Sequence, residues 1–167
     1  MLDFPALLRR FADAVVANDG AALGTLFTED GVYDDGFFGA HQGADAIARM
    51  LAMSHATGTD YRWEFFDSLT DGRIGYAHWR FSYASKMRGA EGKPVVFEGM
   101  SLFHFRGDRI ARYSEAFDRG VAFVQQDFPA ERLGKVLMKA AQAQNATPEC
   151  REHLARFANP AANRPAS

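Results

Sequence analysis

Cysteine is almost absent. Cys150 is the single thiol in 167 residues, so no disulfide can close within the chain, and a reducing, cytoplasmic setting is expected. Basic runs are lacking as well. Nineteen Lys and Arg stand against 21 Asp and Glu, a net charge of -2, and no segment concentrates the positive charge that nucleic-acid binding requires. No apolar run approaches the roughly 20 residues that span a bilayer. The amphipathic start MLDFPALLRRFADAVV carries Asp3 early, unlike a secretion signal. His41, His55, His104 and His153 show no paired ligand spacing, so no metal site is expected. Neither a glycine-rich phosphate loop nor a Gly-x-Ser-x-Gly nucleophile elbow occurs, and no cofactor is expected.

Aromatic surface is what the chain has in excess. Fifteen Phe, five Tyr and two Trp in a chain that is 47% hydrophobic imply a large apolar interior, a pocket or an oligomer face. The length suits one main domain with a real core. Asp3 and Pro5 open a helix to Asn18, with Phe4, Leu7, Leu8, Phe11 and Val15 on one stripe. A short helix over residues 21–27 and another over residues 44–54 follow. From Tyr61 the period falls to two, and Asp71-Gly72 marks a hairpin. Long strands are expected over residues 74–85, 95–105 and 110–117. Helices first and strands later argue for an α+β fold with helices on one face of a curved antiparallel meander. Residues 1–128 form the expected domain and residues 129–158 a C-terminal helical extension, with Leu133, Leu137 and Leu154 forming a packing surface. Residues 159–167 read as a disordered tail.

The most informative stretch is LFTEDGVYDDGFFGAHQGADAIARML, residues 26–51. A short strand, residues 31–33, runs into Asp34 and Asp35, and Phe37 and Phe38 follow. Two readings stand. Asp before Gly is ordinary turn chemistry. A carboxylate at a strand end beside phenylalanines is also costly to ionise once water is excluded, and can then trade a proton near neutral pH.

The order of "AND", "LFTEDGVY", "GADAIARML" and the long meander, over roughly Phe4–Phe123, resembles the nuclear transport factor 2-like superfamily. That group holds SnoaL-like polyketide cyclases, ketosteroid isomerase and limonene epoxide hydrolase. The resemblance implies a cone: a strongly curved antiparallel sheet wrapped around the N-terminal helices, with a deep apolar pocket and often a homodimer. It places Asp35 where ketosteroid isomerase has its proton-shuttling aspartate. That enzyme's oxyanion-holding tyrosine and aspartic acid correspond to Phe11 and Ser101. Against the epoxide hydrolase, Tyr33 matches the water-holding tyrosine, Asp35 its asparagine, and Glu115 in SEAFD its base. His78-x-Arg80 stands where that enzyme has Arg-x-Asp.

Period two then groups Tyr76, His78 and Arg80 on one strand face and Ala111, Tyr113, Glu115 and Phe117 on another. If both faces line the cone, Asp35, Glu115, His78 and Arg80 form a catalytic group. Tyr33, Phe11, Phe37, Phe97, Phe103 and Phe117 then enclose a small apolar or polycyclic molecule. The competing reading is a structural Arg80–Glu115 bridge, with His78 a satisfied hydrogen-bonded core group. Trp79, Phe81 and Tyr83 fall on the opposite face, which predicts a homodimer contact. Two functions remain open: a cofactor-free acid–base enzyme (isomerase, cyclase or hydrolase), or a non-catalytic ligand-binding or dimerisation module.

Overall fold

A computed structural model describes residues 2–158. Residues as far as Asp127 form one compact unit and those from Phe128 a second. In the first unit, α1 (Phe4–Val16) starts where the Asp3 side chain accepts from Ala6 N at 2.9 Å, and Asp19 caps α2 (Gly20–Thr25) in the same way. The apolar stripe of α1 is buried, as are Ile47, Met50 and Leu51 of α3 (Ala44–Thr57). Between these helices lie β1 (Phe27–Asp35) and β2 (Gly39–Gln42), followed by β3 (Gly58–Thr70), β4 (Ile74–Ser85), β5 (Pro94–Arg106), β6 (Arg109–Phe117) and α4 (Arg119–Val124).

The β3–β4 turn falls at the expected Asp71-Gly72. Asp71 Oδ1 accepts from Arg73 N and Ile74 N, both at 2.8 Å, and Gly72 takes φ +85°. The six strands are ordered β2-β1-β6-β5-β4-β3. Every pairing is antiparallel except β1–β6, which is parallel, with Tyr33 opposite Tyr113. The sheet is therefore mixed, where the meander alone predicted an antiparallel one. The pairing of His41 with Tyr33 makes β2 a short strand on the sheet edge. Register breaks in β3, with Asp60 and Asp67 at positive φ, and between His104 and Phe105 bend the strands and curve the sheet around α1. The result is the α+β cone fold.

One expectation of parity is reversed. Ala77 and Trp79 of β4 are buried, whereas Tyr76 is 50% exposed, so Trp79, Phe81 and Tyr83 face the concave side and His78 and Arg80 the convex side. The register explains why. Trp79 lies opposite Gly99, and a Cβ there would meet the indole Cζ2 at 2.4 Å, so the ring occupies the space that glycine leaves. The homodimer argument built on an outward Trp79, Phe81 and Tyr83 loses that basis.

The second unit contains α5 (Ala130–Asn145) and α6 (Pro148–Ala158), the latter capped by Thr147. No residue of α5 is buried, and Leu137 and Leu154 are exposed. The disordered tail expected over residues 159–167 lies outside the described residues. Among the described residues, no helix is long and apolar enough to cross a membrane.

Candidate active site

On β6 the inward positions are Tyr113, Glu115 and Phe117, which continue the burial of Ile110. The parallel neighbour β1 sends Tyr33 and Asp35 to the same side, and β5 contributes Ser101, the cross-strand partner of Glu115. These side chains meet. Glu115 Oε1 accepts from Tyr113 OH at 2.8 Å and from Tyr33 OH at 3.3 Å. Glu115 Oε2 accepts from Gly36 N at 3.4 Å. Tyr113 OH also lies 2.8 Å from Ser101 Oγ. Asp35 Oδ1 accepts from Phe37 N at 2.7 Å and Phe38 N at 2.8 Å. Asp35 is thus a turn former and a half-buried carboxylate at once, and both readings of the DD pair apply to the same residue. Asp34 turns outward to an ion pair with Arg112.

The electrostatics separate the two acids. Burial pushes the Glu115 carboxyl up to about 8, and the charge of Asp35 adds to the rise, against the hydrogen bonds from Tyr113, Gly36 and Tyr33. Burial also raises Asp35, while the N–H groups of Phe38 and Phe37 and the charges of His41 and Arg119 oppose it. Tyr33 and Tyr113 are held well above the usual phenol range, first by burial. Both hydroxyls therefore stay protonated donors.

Glu115 marks a boundary between two aromatic clusters. On one side is the sealed core, where Phe11 stacks on Tyr33 at 5.7 Å and packs on Tyr113 at 4.8 Å. On the other, Phe117 contacts Phe37 and Phe97, each at 5.0 Å, and Trp79 at 5.6 Å; Trp79 and Phe97 are buried, while Phe37 and Phe117 are partly so. Phe37, Phe97 and Phe117 therefore stand together beside the carboxylates. Phe11 and Phe103, each 0% exposed, belong to the core and support the site from beneath instead of lining it. Among the described residues, the indole N–H groups of Trp63 and Trp79 are buried with no hydrogen-bond partner, each at a cost of about 1–3 kcal/mol.

His78 and Arg80 do not join this group. On the convex face Arg80 donates to Glu98 Oε1 through Nε at 2.7 Å and its terminal nitrogen at 2.5 Å. His78 Nε2 lies 4.0 Å from Glu98 Oε2, and Arg80 also covers the Phe66 ring. Arg80 therefore pairs with Glu98 and not with Glu115, and His78 lies on the convex face and not in the core, so the competing reading fails in its partners although Arg80 is held in an ion pair. Asp118 caps α4 through Gly120 N at 2.8 Å. A separate cleft of about 420 Å³ opens between α1 and β3, lined by Pro5, Leu8, Ala12, Trp63 and Phe65 among others; neither Asp35 nor Glu115 lines it.

Sequence reasoning passed over Tyr113 and Ser101. Tyr113 shares the strand face of Glu115 by parity, a signal that was available. Ser101 read only as the loss of an acid, because its partner Tyr113 is 12 residues away on another strand. Among the described residues, no group of His, Cys, Asp and Glu is arranged to hold a metal.

The fold has known relatives. A protein of ketosteroid isomerase-like fold from Catenulispora acidiphila, solved in complex with trimethylamine, is 23% identical, with a TM-score of 0.69 over 76% of this chain and 96% of its own. A proposed polyketide cyclase from Xanthomonas campestris is 21% identical, with a TM-score of 0.60 over 73% and 95%. An LEH-like epoxide hydrolase from M. tuberculosis is 16% identical, with a TM-score of 0.59 over 72% and 82%. At these identities the likeness shows the fold alone. No curated protein matches the chain. The SnoaL-like domain matches residues 8–113, which takes in every strand except the end of β6, together with α2, α3 and all but the first turn of α1. With more than half of its length so matched, this protein belongs to the SnoaL-like domain family, on the nuclear transport factor 2-like fold.

Proposed function

We propose that this SnoaL-like domain is a cofactor-free acid–base enzyme acting on a small apolar or polycyclic molecule, with Asp35 as base and Glu115 as proton donor. The observation that carries the reading is Glu115, whose carboxyl is pushed to about 8 and so stays mostly protonated at neutral pH. Beside it Asp35 is less strongly held from ionising, because two backbone N–H groups stabilise its charged form. Two neighbouring acids with separated proton affinities divide the work. Asp35 takes a proton from an activated C–H or from a water, and Glu115 gives one to the substrate oxygen on which negative charge develops. On a ketone this yields an enol, and the reverse transfers at another carbon complete an isomerisation. With water as the group that Asp35 deprotonates, the same pair opens an epoxide. Phe37, Phe97 and Phe117 would hold the apolar body. Charge stabilisation and proton return fall to the Tyr33–Tyr113–Glu115 group, since Arg80 and His78 lie on the convex face.

The test is turnover of a panel of apolar ketones, epoxides and polyketide-like aromatics, followed by mass spectrometry. Glu115→Gln and Asp35→Asn keep shape and remove proton transfer, so each is expected to lower the rate on the order of a hundredfold or more while ligand binding persists. Binding by every variant with no turnover by wild type would favour the second reading, a non-catalytic ligand-binding or dimerisation module. The loss of ketosteroid isomerase's donors, with Phe11 and Ser101 in their places, is what supports that alternative. A homodimer and a cytoplasmic setting are part of the proposal, supported respectively by exposed apolar side chains on the convex sheet face and by the lone Cys150.

A further inference from the structure

The two oxygens of Glu115 have unlike surroundings. Oε1 receives two hydroxyls, Tyr113 at 2.8 Å and Tyr33 at 3.3 Å. Oε2 receives one long contact, from Gly36 N at 3.4 Å. Behind Tyr113, at 2.8 Å, stands Ser101 Oγ, itself 1% exposed. A phenol carries one proton. While Tyr113 donates it to Glu115, the phenol oxygen can only accept from Ser101, and Ser101 must be the donor of that bond. The chain then runs one way, from Ser101 to Tyr113 to Oε1. An acid proton on Oε1 would confront two hydroxyl hydrogens already pointing at that oxygen. On Oε2 it meets a single weak N–H contact and a free lone pair.

We propose that Ser101 and Tyr113 are positioning residues: they hold Oε1 of Glu115 as a permanent acceptor, so that its exchangeable proton is carried on Oε2 and offered from there to the ligand. This rests on the acid role proposed above for Glu115 and adds to it the residues that aim the proton. The relay also explains a serine buried on β5 directly opposite Glu115. The groups facing Glu115 are Asp35 and Tyr33 from β1, Tyr113 from β6, Ser101 from β5 and the N–H of Gly36; His41 of β2 and Arg119 of α4 act on Asp35. Tyr113 donates to the ionised form and so lowers the titration point of Glu115, against the larger effect of burial.

The experiment is a carboxyl carbon NMR titration of the full chain labelled with 13C-glutamate, with Glu115 assigned by its loss in Glu115→Gln. Wild-type Glu115 is expected to titrate near 8. Tyr113→Phe keeps the ring packing, removes one donor from Oε1, and moves the midpoint upward. Ser101→Ala moves it the same way by less, because Tyr113 loses the donor that polarises it, and Ser101→Thr restores the wild-type value. A role in packing alone would move none of these. If wild type titrates near 8 while Tyr113→Phe and Ser101→Ala leave the midpoint in place or lower it, the relay is overturned and the acid role of Glu115 stands. If wild type titrates in the ordinary carboxylate range, the acid role fails, and the relay with it.

Discussion

Glu115 owes its elevated proton affinity to burial first and to the Asp35 charge second. That order has a consequence for stability. A carboxyl that titrates near 8 in the folded protein and near 4.5 in the unfolded chain binds more protons when folded between those values. Stability therefore falls as pH rises through this window, and the loss is complete above the folded value. Asp35, also raised, acts in the same direction. Melting temperatures measured from pH 5 to pH 9 should decline in wild type and decline less in Glu115→Gln, which should be the more stable of the two at pH 9. Equal slopes would mean that Glu115 is better solvated than its surroundings imply. At this scale Asp35 could be singled out from its flanking phenylalanines and Glu115 grouped with Tyr113 and Phe117 by strand parity, both local signals, whereas Tyr33 came from the family resemblance. The hydrogen bonds to Glu115 could not be read in this way, since each joins residues on different strands or loops except that of Tyr113.

At the scale of an element, β4 shows where periodicity stops being informative. Tyr76 and His78 on one parity and Trp79, Phe81 and Tyr83 on the other give both faces aromatic character, so period two identifies a strand without saying which face is buried. The choice is made by β5. Gly99 lies opposite Trp79, and the indole atoms lie 2.4 and 2.7 Å from where a Cβ would stand, with Ala116 O at 2.8 Å. Gly99→Ala is expected to destabilise by about 1–3 kcal/mol, the usual cost of overpacking, and to shift tryptophan emission as Trp79 moves. Chemical denaturation followed by fluorescence checks both, and an unchanged midpoint would show that the ring has room. Helices were the easier elements. Asp3, Asp19 and Asp118 cap α1, α2 and α4 from within their own segments. α1 was read correctly for the same reason, since its stripe and its cap are both local.

In the whole molecule, the convex sheet face carries Arg80–Glu98 and His78 among exposed apolar side chains: Leu69 at 76%, Tyr76 at 50%, Val96 at 47% and Met100 at 43%. Register puts Tyr76 beside Leu69 and His78 beside Met100, so these side chains share one surface. A homodimer through this face is expected, opposite in parity to the face first considered. Sedimentation at micromolar concentration should give twice the chain mass, and the double substitution Tyr76→Glu with Met100→Glu should give the chain mass with the fold intact. A monomeric wild type would remove the dimer from the proposal. The sequence by itself determined the helices and their caps, the Asp71-Gly72 hairpin, the α+β order and the aromatic strands, because each depends on neighbours within a few residues. Tertiary structure alone decided that β1 lies parallel to β6, that β4 turns its tryptophan inward, and that Ser101, Tyr113, Tyr33 and Glu115 form one hydrogen-bonded group. Those outcomes depend on register between strands distant in the chain, which is set by how rings and glycines fit across the sheet and not by any local pattern.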